Sequence, residues 1–280
     1  MKHRQIAPLL LFWPLLAGAQ TPQQLKVYGV VDPRWDVLAP GRAYSPQSTA
    51  LIEIDDPLHG GLAGAATSLA GETTRPYENA VKYEARRRGW NASAIYSYGE
   101  SNFSTPRQRA YGATLGYAGA LFNVRLAHQR KNNPLPDITG KSVPLDLASR
   151  NSLIAANLHI GPALTYAAYG VNRGMGAVPW DLSQPYGALA MATPSTDSRD
   201  MMLGLALQRG ATTWMLSYIR KDDRDPTDLD ARQIAFGMSY AMSKRTGWYA
   251  AYAQVRHDNG RPAAIGRASS GLRFGLRHAF

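Results

Sequence analysis

The chain has 280 residues and no cysteine, and 31 Lys and Arg against 20 Asp and Glu give it a formal charge of +11. The missing cysteines exclude a disulfide scaffold and a thiolate metal site. The basic residues are scattered one or two per segment, whereas a nucleic-acid surface needs them gathered on one face, so no nucleic-acid partner is expected.

Lys2 and Arg4 precede an apolar run from Ala7 to Leu16, and Ala17-Gly18-Ala19 supplies the small residues of a cleavage site. The run is interrupted by Pro8 and Pro14 and falls short of the roughly 20 residues that span a bilayer. Residues 1–19 therefore read as a signal peptide and 20–280 as the mature domain. Removing Lys2 and Arg4 lowers the charge from +11 to +9. No later apolar run is long enough for a membrane helix, but transmembrane strands need only about 9–11 residues each and alternate in polarity.

Such alternation begins with KVYGVVDPRWDV at 26–37, whose faces are ambiguous, and resumes after a long interval at 39–78. Val81 and Tyr83 oppose Lys82 and Glu84, and Trp90, Ala92, Ala94, Tyr96 and Tyr98 oppose Asn91, Ser93, Ile95 and Ser97. Tyr111, Ala113, Leu115 and Tyr117 follow, then Phe122, Val124 and Leu126 against Asn123, Arg125 and Ala127, then Ile154, Ala156, Leu158 and Ile160 against Asn157 and His159. The stretch 163–172 is too mixed to sort. Beyond it, Leu203, Leu205 and Leu207 form one stripe, Trp214, Leu216 and Tyr218 a second, and Ile234, Phe236, Met238, Tyr240 and Met242 the cleanest. TGWYAAYAQVRH at 246–257 is ambiguous again. In the terminal SSGLRFGLRHAF, Leu272, Phe274, Leu276, His278 and Phe280 face away from Arg273 and Arg277.

The count is about 12 strands, an even number that lets a sheet close with both ends on one side. The connections sort themselves. Short ones fall at 86–89, 119–120, 161–162, 210–211 and 243–245, and long ones at 39–78, 100–107, 131–148, 173–198, 222–230 and 258–268. Tight turns on one rim and long loops on the other predict an all-β transmembrane antiparallel barrel rather than a soluble Greek-key sandwich. Trp90, Tyr98, Trp214, Trp248 and Phe280 stand where aromatic girdles would lie. Charge on the lipid face costs about 2–4 kcal/mol near the midplane, so parity places Lys82, Arg125, Arg273 and Arg277 in the lumen.

The stretches KVYGVVD, GRAYSP followed by IDDPLHGGLAG, ENAVKYEA, SKRT and GLRFGLRHAF resemble the general porins of Gram-negative outer membranes, in their β-proteobacterial form. Members of that family have about 16 strands. Here Val37-Leu38-Ala39-Pro40 runs almost directly into Gly41-Arg42-Ala43-Tyr44, so a block of four strands near the N-terminus is missing. The resemblance implies that the loop 39–78 folds into the lumen and sets Glu53, Asp55 and Asp56 opposite Arg42, Lys82 and Arg125 at a constriction. It also implies homotrimers, contact with outer-membrane lipid and lipopolysaccharide, and recognition of the terminal Phe280 by the barrel-assembly machinery.

The expected function is passive diffusion of ions and small hydrophilic solutes. Twelve strands give about three quarters of the diameter of 16, so the pore should be narrow, and the excess of positive charge suggests a weak preference for anions. Two alternatives are a solute-specific channel for small acidic solutes and a non-conducting surface protein. Twelve-stranded outer-membrane phospholipases offer an enzyme reading, but their chemistry needs a histidine-activated serine. His128 and His159 lack the closely spaced serine, and no His/Asp/Glu spacing suggests a metal. No enzyme activity and no cofactor are expected.

Overall fold

The computed structural model describes residues 41–54, 58, 77–98, 109–132, 148–174, 196–226, 228, 230–258 and 270–278. The expected signal peptide, the strand expected at 26–37, Asp55, Asp56, Phe280 and the Arg42 side chain lie outside them. The described chain forms one antiparallel sheet in which every strand pairs with its sequence neighbour. Its members are β1 (Gly41–Ala43), β2 (Tyr77–Arg87), β3 (Trp90–Ser97), β4 (Ala110–Ala118), β5 (Phe122–Asn132), β6 (Ala148–Ile160), β7 (Ala163–Arg173), β8 (Asp197–Arg209), β9 (Thr212–Asp223), β10 (Ala231–Ala241), β11 (Thr246–His257) and β12 (Ser270–His278). One helix, α1 (Pro46–Glu53), lies between β1 and β2. β1 pairs Gly41 with Ala80 and Ala43 with Tyr77, so the sheet reaches into both ends of the interval read as the loop 39–78.

Five tight turns join β2–β3, β4–β5, β6–β7, β8–β9 and β10–β11 and therefore share one rim. At the first, Arg88 and Gly89 both adopt positive φ (49° and 84°), as a two-residue hairpin loop that matches strand twist requires. The long connections lead from the opposite rim.

Alternation of side chains makes the sheet inside-out relative to a soluble protein. Leu272, Phe274 and Leu276 are 66%, 81% and 69% exposed, and the apolar stripes read from β3, β5, β6, β8, β9 and β10 all face the same way. The other face buries Gln129, Asn151, Asn172, Ser217 and Gln233. In water each exposed Å² of apolar surface would cost about 25 cal/mol, over an area far beyond the few hundred Å² a soluble monomer tolerates. Hydrocarbon removes that penalty, and the unbroken ladder from β2 to β12 pairs the backbone groups that hydrocarbon cannot solvate. From Phe122 to Arg130 β5 advances eight residue steps, or about 27 Å of strand and about 20 Å of height at the usual tilt, close to the ~25 Å apolar band of a membrane barrel. Rings gather at the tight-turn edge of that band: Trp90 packs on Tyr117 (5.1 Å between centroids), Tyr117 on Phe122 (5.5 Å) and Tyr240 on Trp248 (6.0 Å).

The two strands whose faces the sequence left open are settled by register. Tyr166 of β7 turns inward opposite Gly204, where a Cβ would stand 1.8 Å from its ring, and its hydroxyl donates to Leu216 O at 3.2 Å. Tyr249 of β11 stands opposite Gly275 in the same manner.

Candidate functional site: a helix across the inner face

α1 starts from local sequence. Ser45 caps it with extended backbone (φ −60°, ψ 154°), its hydroxyl accepting from Ser48 N at 3.2 Å, and Pro46 fills the first turn where no N–H is needed. Eight residues make a rod about 12 Å long. Ala50, Leu51 and the following Ile54 are fully buried against Ala127, Leu153, Ala155, Tyr166, Ala168, Met202 and Ile219 of β5–β9. An apolar patch thus lies on the inner face beneath the helix.

Small residues of β4 make room for it. Gly112, opposite Gln129, would place a Cβ 2.8 Å from Pro46 Cγ and 2.4 Å from His128 O. Two pleat repeats away, Gly116 stands between Asn91 of β3 and Arg125 of β5 in a single register row. A Cβ there would meet Arg125 Nη1 at 2.1 Å and Asn91 Oδ1 at 2.5 Å, so the missing side chain is the corridor along which the guanidinium reaches.

Polar contacts fix both ends of α1. Near the loop-bearing rim, the Gln47 backbone N–H donates to Gln129 Oε1 (3.0 Å) and its side-chain amide donates to Asn172 Oδ1 (3.4 Å). Gln129, Asn151 and Asn172 are directly opposite one another across β5, β6 and β7. Gln129 Nε2 donates to Asn151 Oδ1 at 3.3 Å, Asn151 Nδ2 to Asn172 Oδ1 at 2.7 Å, and Asn172 Nδ2 to Asp200 Oδ2 at 2.7 Å. Asp200 in turn stands opposite Lys221, and both are buried. This amide row satisfies buried polar groups through one another, which a low-dielectric setting demands.

Toward the tight-turn rim, Glu53 meets the wall. Its carboxylate lies 3.0 Å from Arg125 Nε, accepts from Asn91 Nδ2 at 3.2 Å, and sits 3.9 Å from Arg86. Arg125 Nη1 donates to Asn91 Oδ1 at 2.8 Å. Asn123 and Asn157, themselves a register pair, donate to the carbonyls of Glu53 and Ile54. Leu58, four residues beyond Ile54, is buried on another stretch of wall with Ala206, Met215, Ala235 and Ala253.

Of the residues expected at a constriction, Glu53 and Arg125 are brought together, and in direct contact rather than across a gap. Lys82 pairs with Glu84 on its own strand, and Arg86 lies 3.7 Å from that same carboxylate. Arg273 and Arg277 alternate inward on β12, opposite Ala251 and Gly247. Asn91, Asn123 and Asn157 were not singled out by the sequence, although each is an inward-parity amide within a few residues of a tight turn. No cluster of His, Cys, Asp or Glu able to hold a metal occurs among the described residues.

The fold has known counterparts. A family model described as Gram-negative porin matches residues 35–260. Among solved structures, an anion-selective porin from Comamonas acidovorans aligns with a TM-score of 0.63 at 19% identity, covering 86% of this chain and 73% of that one. OmpF of Salmonella typhi, solved with daunomycin, gives 0.61 at 13% identity over 85% and 73%. A loop-deletion form of OmpT from Vibrio cholerae gives 0.59 at 14% over 85% and 74%. No curated protein matches the chain by sequence. At these identities the structures speak for the fold alone, and the family match carries the assignment: the chain belongs to the Gram-negative porins, non-catalytic transport proteins of the outer membrane.

Proposed function

We propose that the sheet closes into a barrel of about 12 strands and serves as a narrow passive channel for ions and small hydrophilic solutes, with α1 as its constriction. The observation that carries this reading is the position of α1, held against the inner face at both ends by Gln47 and Glu53. Inner-face cations (Lys82, Arg86, Arg125, Lys131, Lys221, Arg273, Arg277) outnumber inner-face carboxylates (Glu53, Glu84, Asp200, Asp223) among the described residues, which favours a weak preference for anions. That the Comamonas acidovorans structure is named an anion-selective porin agrees with it. Arg42, Asp55 and Asp56 complete the constriction in this proposal, residues 1–19 are removed on export, and three copies associate, as one OmpT structure is described in a trimer form.

A reversal-potential measurement across a planar bilayer with a KCl gradient tests the selectivity. A potential of the sign expected for excess chloride permeability is the predicted result, and one favouring potassium overturns it. The buried clusters around α1 and Leu58 favour a second reading, an occluded interior and a protein acting only at the surface, in which correctly inserted protein passes no current.

A further inference from the structure

The two rims differ in how their charge is matched. Around the loop-bearing rim cations meet carboxylates: Arg173 lies 3.8 Å from Asp197, Arg220 3.6 Å from Asp230, Arg224 3.6 Å from Asp222, and Arg232 2.5 Å from Asp258. The tight-turn rim has no carboxylates to offer. Its segments 85–91, 117–123, 157–164, 207–214, 239–247 and 275–278 contain no Asp or Glu. They do carry Arg87 and Arg88 at the β2–β3 turn, Arg209 at the β8–β9 turn, and Lys244 and Arg245 at the β10–β11 turn, all of them exposed. Among the described residues, none of these five side chains makes an ion pair or a hydrogen bond.

On the inner face beside α1, by contrast, Arg125 is held by Glu53, and Lys82 and Arg86 lie against Glu84. Opposite charges in contact largely cancel for an ion passing at a distance. The reach of the turn cations follows from geometry. Twelve strands about 4.8 Å apart, at the usual tilt, close to a radius of about 12 Å, so each turn cation stands about that far from the axis. The Debye length is about 3 Å in 1 M salt and about 30 Å in 0.01 M. Five unit charges at that distance in water, screened accordingly, raise chloride at the mouth about sevenfold in 0.01 M salt and hardly at all in 1 M.

We propose that Arg87, Arg88, Arg209, Lys244 and Arg245 form a cationic mouth that gathers small anions and, in dilute salt, sets most of the channel's anion preference from the tight-turn side. The inference rests on the reading of the closed sheet as a channel. Short turns face the periplasm in barrels of this kind, so the mouth lies at the inner end of the path. Charges of one sign around an opening raise the local concentration of their counter-ions, and exposed charges do so only while salt leaves them unscreened. The selectivity of this channel is thereby assigned to hairpin turns as well as to the wall around α1.

The test is the reversal potential of single inserted channels in a phosphatidylcholine bilayer, whose lipids carry no net charge. About 1 M KCl bathes one side and about 0.01 M the other, and the gradient is then reversed, so that each mouth in turn is unscreened while the other is screened. Arg88→Gln/Arg245→Gln, which leaves three of the five charges, should lower the chloride-to-potassium permeability ratio at least twofold in one direction of the gradient and leave the other direction unchanged. Arg199→Gln/Arg256→Gln, an equal loss of exposed charge at the loop-bearing rim, should leave the ratio in that first direction unchanged. Should the first variant fail to fold, Arg209→Gln/Lys244→Gln carries the same expectation. A ratio that the tight-turn variant does not change, or that the loop-rim variant lowers equally in the same direction, overturns the proposal and leaves the channel reading standing. Inserted protein that passes no current overturns both.

Discussion

Replacing Arg125 by alanine should undock the C-terminal end of α1 without disturbing the sheet. The guanidinium holds Glu53 Oε2 at 3.0 Å and donates to Asn91 Oδ1 at 2.8 Å, so its removal leaves the carboxylate with Asn91 and with Arg86 at 3.9 Å. The contact is an ion pair without hydrogen-bond geometry; exposed pairs are worth about 0.2–1 kcal/mol and breaking a buried one costs about 3–5 kcal/mol, and side-chain exposures of 6% for Arg125 and 24% for Glu53 place this one between them, near about 1.5 kcal/mol. That corresponds to about a tenfold rise in the population of the undocked helix, since about 1.4 kcal/mol is a factor of ten. Hydrogen-exchange mass spectrometry on folded protein should therefore show amides of residues 46–54 exchanging about ten times faster, with β8–β11 unchanged. Arg125→Lys should restore little, because a point charge cannot bridge Glu53 and Asn91 together. Unchanged exchange in α1, or faster exchange throughout β5 and β6, would refute the idea that this ion pair tethers the helix.

Gly116→Val should reproduce the Arg125→Ala exchange pattern without removing any charge, because its Cβ would occupy the space of Arg125 Nη1; normal α1 protection in this variant would show that the corridor is not needed. Phe274→Lys, at a lipid-facing position, should weaken folding into vesicles by about 2–4 kcal/mol in urea titrations, whereas Arg273→Gln one residue away should change it far less; equal effects would contradict the assigned faces. Asn172→Val removes the hub of the amide row and takes one hydrogen-bond partner each from Asp200, Asn151 and Gln47, for a loss of about 1–3 kcal/mol by the same titration. Glu53→Gln should move the reversal potential toward greater chloride permeability, and a shift toward potassium would exclude a pore-facing carboxylate.

What could be read from the sequence was what the membrane enforces. Lipid penalises every exception on the outer face, so Leu203, Leu205, Leu207, Ile234, Phe236, Leu272 and Phe274 announce their strands by simple parity, and Arg125 and Arg273 are found opposite them. The inner face carries no such rule. Tyr166 and Tyr249 point inward because Gly204 and Gly275 across the ladder leave space, a fact of register that neither strand's own pattern contains. The Ser45-Pro46 start of α1 is a recognisable helix signal, but its burial depends on Gly112 and on inward Leu153, Met202 and Ile219, which come from distant segments. Arg130, Arg150 and Arg173, near the loop-side ends of β5, β6 and β7, look scattered along the chain and stand opposite one another only once those strands are paired. Sequence also led us to expect acidic loop groups facing basic wall groups across water, while Glu53 and Arg125 are in contact because α1 lies flat on the wall it was expected to face.

Single-channel recording decides the main proposition, that this porin is an open channel narrowed by a wall-docked helix. Refolded protein, shown to be inserted by heat-modifiable gel mobility and protection from protease, should give discrete ohmic steps in a planar bilayer, smaller than those of a 16-stranded general porin in the same salt. Electrical silence from inserted protein, or steps as large as those of the 16-stranded porin, would contradict it.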